Sequence, residues 1–186
     1  MLVESGLNIY ILGSDLTHRQ RQRIQAQVRT ALRSLPTWLF DLVRERIDAL
    51  GVANLPLIIE PLSAARQHSQ VISLGRIDSR PTVKLTPKLR RNGIDWGQDL
   101  RRLLAKAVAY ISAPGSDNSD FWRRWADAAA ADRLREKMGD TAHAFRDETD
   151  PGLLIEMFSA YALTPGNRRW TQMPAVRGFL EVWRAT

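Results

Sequence analysis

The chain has 186 residues, 44% of them hydrophobic, and its 27 Lys and Arg against 20 Asp and Glu give a net charge of +7. A chain of this length and composition can bury a core without metal or disulfide crosslinks, and a single domain is the default expectation. The lack of Cys excludes a disulfide scaffold, a Cys-ligated zinc site, an iron–sulfur cluster and a thiol nucleophile. No apolar run approaches the roughly 20 residues of a membrane span, and no secretory signal is recognisable, so the sequence predicts a cytoplasmic protein without membrane contact.

The first half of the chain alternates strand and helix signals. A β-branched run predicts a strand over 7–12, followed by a helix that Ser14 or Thr17 caps. A second helix is expected to have Pro36 in its first turn and to end at Gly51. Three short strands at 57–59, 71–74 and 82–85 then read as a meander, with a turn over 78–81.

From residue 94 onwards the apolar spacing is helical. Helices are predicted from Asp95 or Asp99 to residue 111, over 119–139, over 151–163 and from Pro174 onwards. The sequence therefore predicts an α+β fold, in which a small sheet of about three to four strands packs against helices. We expect one domain over 1–186, with a sheet-containing half at 1–93 and a helical half at 94–186.

The residues offer little chemistry by themselves. Phosphate-binding glycine loops and a serine nucleophile elbow are absent from the sequence. His143 is near three carboxylates in sequence, and this group keeps open an enzyme of unrecognised type, although a solvated acidic loop is the simpler interpretation. The group around His143 consists of His143, Asp147, Glu148 and Asp150. No metal or other cofactor is expected.

The basic residues form two groups that are consistent with phosphate recognition. Arginine predominates over lysine, and guanidinium binds phosphate bidentately, so a nucleic-acid-binding protein is the alternative interpretation. The aromatic residues Phe121, Trp122 and Trp125 are interleaved with arginines, but we interpret them as a helix face turned to the core. The candidate nucleic-acid contacts are Arg19, Arg21, Arg23, Arg29 and Arg33 on the first helix, with Lys88, Arg90 and Arg91 further along.

Two helical segments and the order of elements resemble the minimal zincin-like metallopeptidases, the small catalytic domains related to anthrax lethal factor. In that family a helix after the sheet carries His-Glu-x-Gly-His, and here the corresponding letters are Ala105-Lys106-Ala107-Val108-Ala109. A later family helix of the form Glu-x-Phe-Ala-Glu-x-Phe-Ala-x-Tyr is matched at Glu156, Phe158 and Tyr161. The resemblance extends over most of the chain.

The departures from the family motif remove its chemistry. By the resemblance, Ala105 and Ala109 replace the two histidine ligands, Lys106 replaces the general-base glutamate, and Gly152 replaces the downstream glutamate ligand. The resemblance thus implies a pseudo-metallopeptidase without metal, whose vestigial cleft comprises Ala105, Lys106, Ala109, Gly152, Glu156 and Tyr161.

Our leading interpretation is a non-catalytic domain that binds a protein partner, in an effector, immunity or adaptor role of bacterial or phage type. A cleft without its metal still presents an edge strand to an extended peptide. We predict that edge at 82–86, with Thr82, Lys84, Thr86 and Tyr110 as the candidate partner-binding residues.

Overall fold

The computed structural model describes residues 2–4, 6–14, 16–63, 72–77, 80–90, 93–115 and 117–185. The chain divides into two compact units, Met1–Ser112 and Ala113–Thr186. The α+β class predicted from the sequence is confirmed, and the second unit is helical. Within the described residues, no helix is both long enough and apolar enough to cross a membrane.

The first unit contains two sheets and three helices among its described residues. The larger sheet has five strands in the order β1-β2-β3-β6-β5, and the smaller has three in the order β4-β7-β8. The strands are β1 Leu2–Glu4, β2 Leu7–Ile11, β3 Leu55–Ile59, β4 Leu62–Ser63, β5 Ile72–Ile77, β6 Arg80–Leu85, β7 Lys88–Arg90 and β8 Gly93–Asp95, and the helices are α1 His18–Arg33, α2 Trp38–Leu50 and α3 Leu100–Ser112.

The ends of α1 and α2 follow from their local sequences. Thr17 caps α1 in a capping box with Gln20, which decides between the two predicted caps. Gly51 ends α2 as predicted, in the left-handed conformation at φ 62°. Pro36 lies just before α2 rather than in its first turn, because the helix begins at Trp38 and Thr37 occupies the N-cap position.

The predicted meander is wrong. β2, β3 and β6 run parallel to one another, and β5 returns antiparallel to β6 on the far side. Parallel neighbours need a crossover connection, and here α1 and α2 supply the one between β2 and β3. Arg80 and Pro81, predicted in a turn, belong to β6, whereas residues 71, 78 and 79 lie outside the described part of the chain.

The core of the first unit lies between one face of the larger sheet and the helices. Alternate residues of β2, β3 and β6 are fully or almost fully buried, as expected when one face of a strand is covered. Helix α3 packs on α1, α2 and β6. Helix α3 therefore belongs to the same unit as the sheets, and the boundary between the two units follows it. The predicted boundary between residues 93 and 94 had placed this helix in the helical half.

The second unit packs its helices around aromatic side chains. Phe158 stacks on Trp183 at 3.9 Å between ring centroids, and Phe121 meets Phe179 edge to face at 5.2 Å. Trp125 is fully buried, which confirms the core interpretation for this residue, and Phe121 and Trp122 are half-buried. The helices are α4 Ser119–Ala131, α5 Leu134–Met138, α6 Pro151–Leu163 and α7 Pro174–Ala185, with 3-10 turns at Gly139–Ala144 and Arg168–Gln172.

Candidate functional site

The outer strand β5 is the most exposed strand whose side chains the structure describes. Residues Leu74 to Ile77 are all exposed, and Leu74 and Ile77 each leave more than two fifths of their surface in solvent (43% and 44%). Within the described residues, β5 pairs only with β6. Large aliphatic side chains on a strand with an unpaired edge are a common signature of a surface that receives another chain.

One hydrogen bond, on the side of β6 that faces away from β5, shows in which direction the N–H and C=O groups of β5 point. The Leu85 carbonyl accepts from the Glu60 amide at 2.8 Å, so the polar groups of Leu85 point away from β5. Ile72 lies opposite Leu85 in the antiparallel pair, so its N–H and C=O point away from β6. By the two-residue repeat, the backbone groups of Leu74 and Arg76 point outward as well.

The register assigns each side chain of β5 to one face of the larger sheet. Leu74 lies opposite Val83, and Val83 is buried on the face of the sheet that contacts α3. Ile72, Leu74 and Arg76 are therefore on the same face as α3. Burial raises the pKa of the Tyr110 phenol on α3, and the positive charge of Arg76 acts in the opposite direction. The phenol is thus a neutral hydrogen-bond donor within electrostatic reach of the Arg76 guanidinium.

The strand predicted to be the edge is an internal one. β6 lies between β3 and β5, so the prediction of an edge at 82–86 is wrong. Thr82 is 4% exposed and Thr86 9% exposed, and Lys84 forms an ion pair with Glu60. Thr82 and Lys84 pair with β5 from the inside, opposite Gly75 and Ser73, and the charge of Arg76 on β5 acts on Tyr110 of α3. The edge was predicted wrongly because strand order depends on pairing that the local pattern of each strand does not encode.

The motif positions on α3 are packed rather than open. The Ala105 and Ala109 side chains are completely buried, and Lys106 donates to the Gln98 side chain at 3.3 Å. A ligand therefore cannot reach the two alanine methyl groups without displacing the surrounding core.

The remaining members of the predicted vestigial cleft are on α6, in the second unit. The Gly152 amide donates to Asp150, and Tyr161 is 3% exposed with its hydroxyl 3.3 Å from Glu181 Oε1. Glu156 is half-buried and also has an interaction partner. Gly152 and Tyr161 thus have structural roles within the helical unit that do not depend on a metal-binding ancestry.

Several of the residues predicted to contact nucleic acid instead bind other residues of the same chain. Arg21 donates to the carbonyl oxygens of Ile11 (3.0 Å) and Gly13, and Arg90 pairs with Asp95 at 2.7 Å. Arg29 and Arg33 also have partners, whereas Arg91 lies outside the described residues. Arg19 and Arg23 are exposed on α1, and Lys88 is half-buried on β7.

The group around His143 does not form a metal site. In the described ranges, no three His, Asp or Glu side chains are placed to hold a metal ion. Asp150 caps α6 through the Gly152 amide at 2.8 Å, as predicted, and Asp147 accepts from the Thr149 amide at 2.9 Å. The hydrogen bond from the Thr149 hydroxyl is the main reason that the pKa of Asp147 is lowered.

Comparison of the chain with protein-family models, curated proteins and solved structures gives no match.

Sequence reasoning missed Leu74 and Arg76 as site residues. Two signals in the sequence were available: Gly75 within a short strand, and a charge at Arg76 where a central strand would be apolar. Both features are typical of an edge strand.

Proposed function

We propose that this protein is a non-catalytic interaction domain that binds an extended segment of a partner protein along β5. The observation that carries the proposal is the row of outward backbone groups at Ile72, Leu74 and Arg76, on a strand that is exposed from Leu74 onwards. Unpaired backbone groups of this kind are satisfied by strand addition, in which the main chain supplies affinity and alternate side chains supply specificity.

The side chains of the edge define the segment that fits. Leu74 offers an aliphatic contact, and two residues along the same face Arg76 offers a guanidinium to an acidic side chain. Tyr110, on which the charge of Arg76 acts, adds a hydrogen-bond donor. The partner segment is therefore extended, with an apolar and an acidic residue two positions apart.

The resemblance to zincin-like metallopeptidases supports a role without catalysis. The motif positions hold Ala105, Ala109 and Gly152, none of which offers a side-chain ligand to a metal. A pseudo-metallopeptidase that retains peptide binding matches an effector, immunity or adaptor role.

The proposal is tested with random peptides of about ten residues displayed on phage, a length that spans the strand. The full chain serves as bait, and a Leu74→Pro variant serves for counter-selection, because proline removes the outward N–H of residue 74. We expect the wild type to enrich peptides with the apolar–acidic spacing, and synthetic versions of them to lose about tenfold or more in affinity for Leu74→Pro.

The matched control is Leu74→Ala, which shortens the side chain but keeps the N–H. It is expected to retain more of the affinity than Leu74→Pro does. Equal binding of selected peptides by the wild type and by Leu74→Pro would contradict strand addition at β5.

A further inference from the structure

A cavity of about 450 Å³ separates α1 from the β7–β8 hairpin, on a part of the first unit that the proposed peptide site does not use. Its size is that of an ordinary small-molecule site. One wall is a row of polar side chains on α1, and the other is formed by Leu89 and Ile94 of the hairpin.

The polar wall is a single row along the helix. Arg19, Arg23 and Gln27 are spaced four residues apart, so they share one face of α1 and span about 12 Å along its axis. Both guanidiniums are exposed, and within the described residues neither one forms an ion pair or hydrogen bond. Two adjacent guanidiniums without carboxylate partners form a bidentate anchor for a phosphate group.

The far end of the row carries an unsatisfied acceptor. The Gln27 Oε1 atom is buried and, among the described residues, has no hydrogen-bond partner. A buried acceptor without a partner is costly, and a ligand N–H would remove that cost. Thr17 and Gln20, which also line the cavity, are already bonded to each other in the cap of α1.

We propose that this cavity binds an adenine nucleotide, either as a free nucleotide or as part of a nucleic-acid strand. The phosphate lies between Arg19 and Arg23, the base lies against the aliphatic wall, and the exocyclic amino group of adenine donates to Gln27. Glutamine and the adenine edge are a well-matched hydrogen-bonding pair. The Arg90–Asp95 ion pair on the hairpin is internally neutral, and the charged residues that line the cavity in the described part of the chain are Arg19 and Arg23.

Calorimetric titration of the full chain with AMP tests the site, with IMP, adenosine and inorganic phosphate as matched probes. We expect a dissociation constant for AMP below about 1 mM, and binding at least tenfold weaker for each of the other three probes. Arg19→Gln and Arg23→Gln should each weaken AMP binding about tenfold, since each removes a charged hydrogen bond. Arg124→Gln makes the same charge change on α4 and should leave AMP binding unchanged. Gln27→Leu should remove the preference for AMP over IMP.

A short 5′-phosphorylated oligodeoxyadenylate distinguishes the two sources of the nucleotide. Displacement of AMP by the strand, with affinity that falls as salt rises, assigns the site to a nucleic acid. AMP binding without displacement by the strand assigns it to a free nucleotide.

The proposal is overturned if AMP does not bind, if phosphate binds as tightly as AMP, or if AMP and IMP bind equally. It is also overturned if Arg19→Gln and Arg23→Gln bind AMP like the wild type. Thermal unfolding of each variant confirms that it is folded, which is expected because neither arginine has a partner in the described structure.

Discussion

The carboxylate of Asp132 at the end of α4 caps the N-terminus of α7, accepting from the Val176 amide at 2.7 Å across 44 residues of sequence. Pro174 occupies the first position of α7, and Met173 before it has no side-chain oxygen for the usual local cap. Asp132 is 5% exposed, so this bond is shielded from water. One side chain thereby ties two helices of the second unit together.

We predict that Asp132→Ala lowers the free energy of unfolding by about 1–3 kcal/mol, because it leaves the Val176 amide buried and unpaired. Asp132→Asn keeps an acceptor oxygen and should lose less. Urea denaturation monitored by circular dichroism measures both. Equal stability of wild type and Asp132→Ala would show that water replaces the cap.

The direction of the β5 backbone groups gives a second prediction, which needs no binding partner. Leu74→Pro removes an outward N–H, so it should cost less than about 1 kcal/mol. Gly75→Pro removes an N–H that faces β6 and leaves the Thr82 carbonyl without its donor, and this should cost about 1–3 kcal/mol more. Thermal unfolding compares the two, and the reverse order would show that the register is shifted by one residue.

Arg21 and Arg19 are two residues apart on α1, yet they should respond differently to the same substitution. Arg21→Gln removes hydrogen bonds to the carbonyl oxygens of Ile11 and Gly13 and should cost about 1–2 kcal/mol of unfolding free energy. Arg19→Gln removes only an exposed charge and should be nearly neutral. Chemical denaturation of both variants checks this, and equal stabilities would contradict the structural role of Arg21.

The packing of α3 predicts the outcome of restoring the zincin histidines. The double variant Ala105→His, Ala109→His inserts two rings where both side chains are fully buried, so we expect a loss of more than about 2 kcal/mol and no zinc binding. Lys106→His, at a partly exposed position, is the control and should be tolerated. Zinc-dependent stabilisation of the double variant would instead show that the helix face opens onto a cleft.

Asp95 gives the β7–β8 hairpin a pH dependence. The Arg90 side chain and then the Gly97 amide donate hydrogen bonds that hold the pKa of Asp95 below its ordinary value of 3.8. A folded-state pKa below the unfolded one contributes stability that is present above about pH 4 and is lost as the pH falls through the folded value. Thermal midpoints of wild type and Asp95→Asn should therefore converge on acidification. A constant difference between the two would rule out this contribution.

The amino-acid sequence by itself determined the elements whose causes are local. The Gly51 end of α2 and the Asp150-Pro151 start of α6 involve residues within a few positions of one another, so the sequence is sufficient to predict them. For the start of α1 the sequence left Ser14 and Thr17 as alternatives, and the structure shows Thr17 in a capping box with Gln20. The burial of the Trp125 face followed from helical periodicity in the same way.

The order of the strands, and which residues meet at the β5 edge and at the hairpin cavity, were decided only by the tertiary structure. Whether β6 is internal depends on pairing with β3, some 25 residues earlier in the chain, and backbone hydrogen bonds carry no side-chain signature that fixes a partner. The same holds for the arginines of α1. Arg19, Arg21 and Arg23 look alike in sequence, but Arg21 donates to the carbonyl oxygens of Ile11 and Gly13, whereas its two neighbours line the hairpin cavity. Long-range packing therefore places like residues in unlike surroundings.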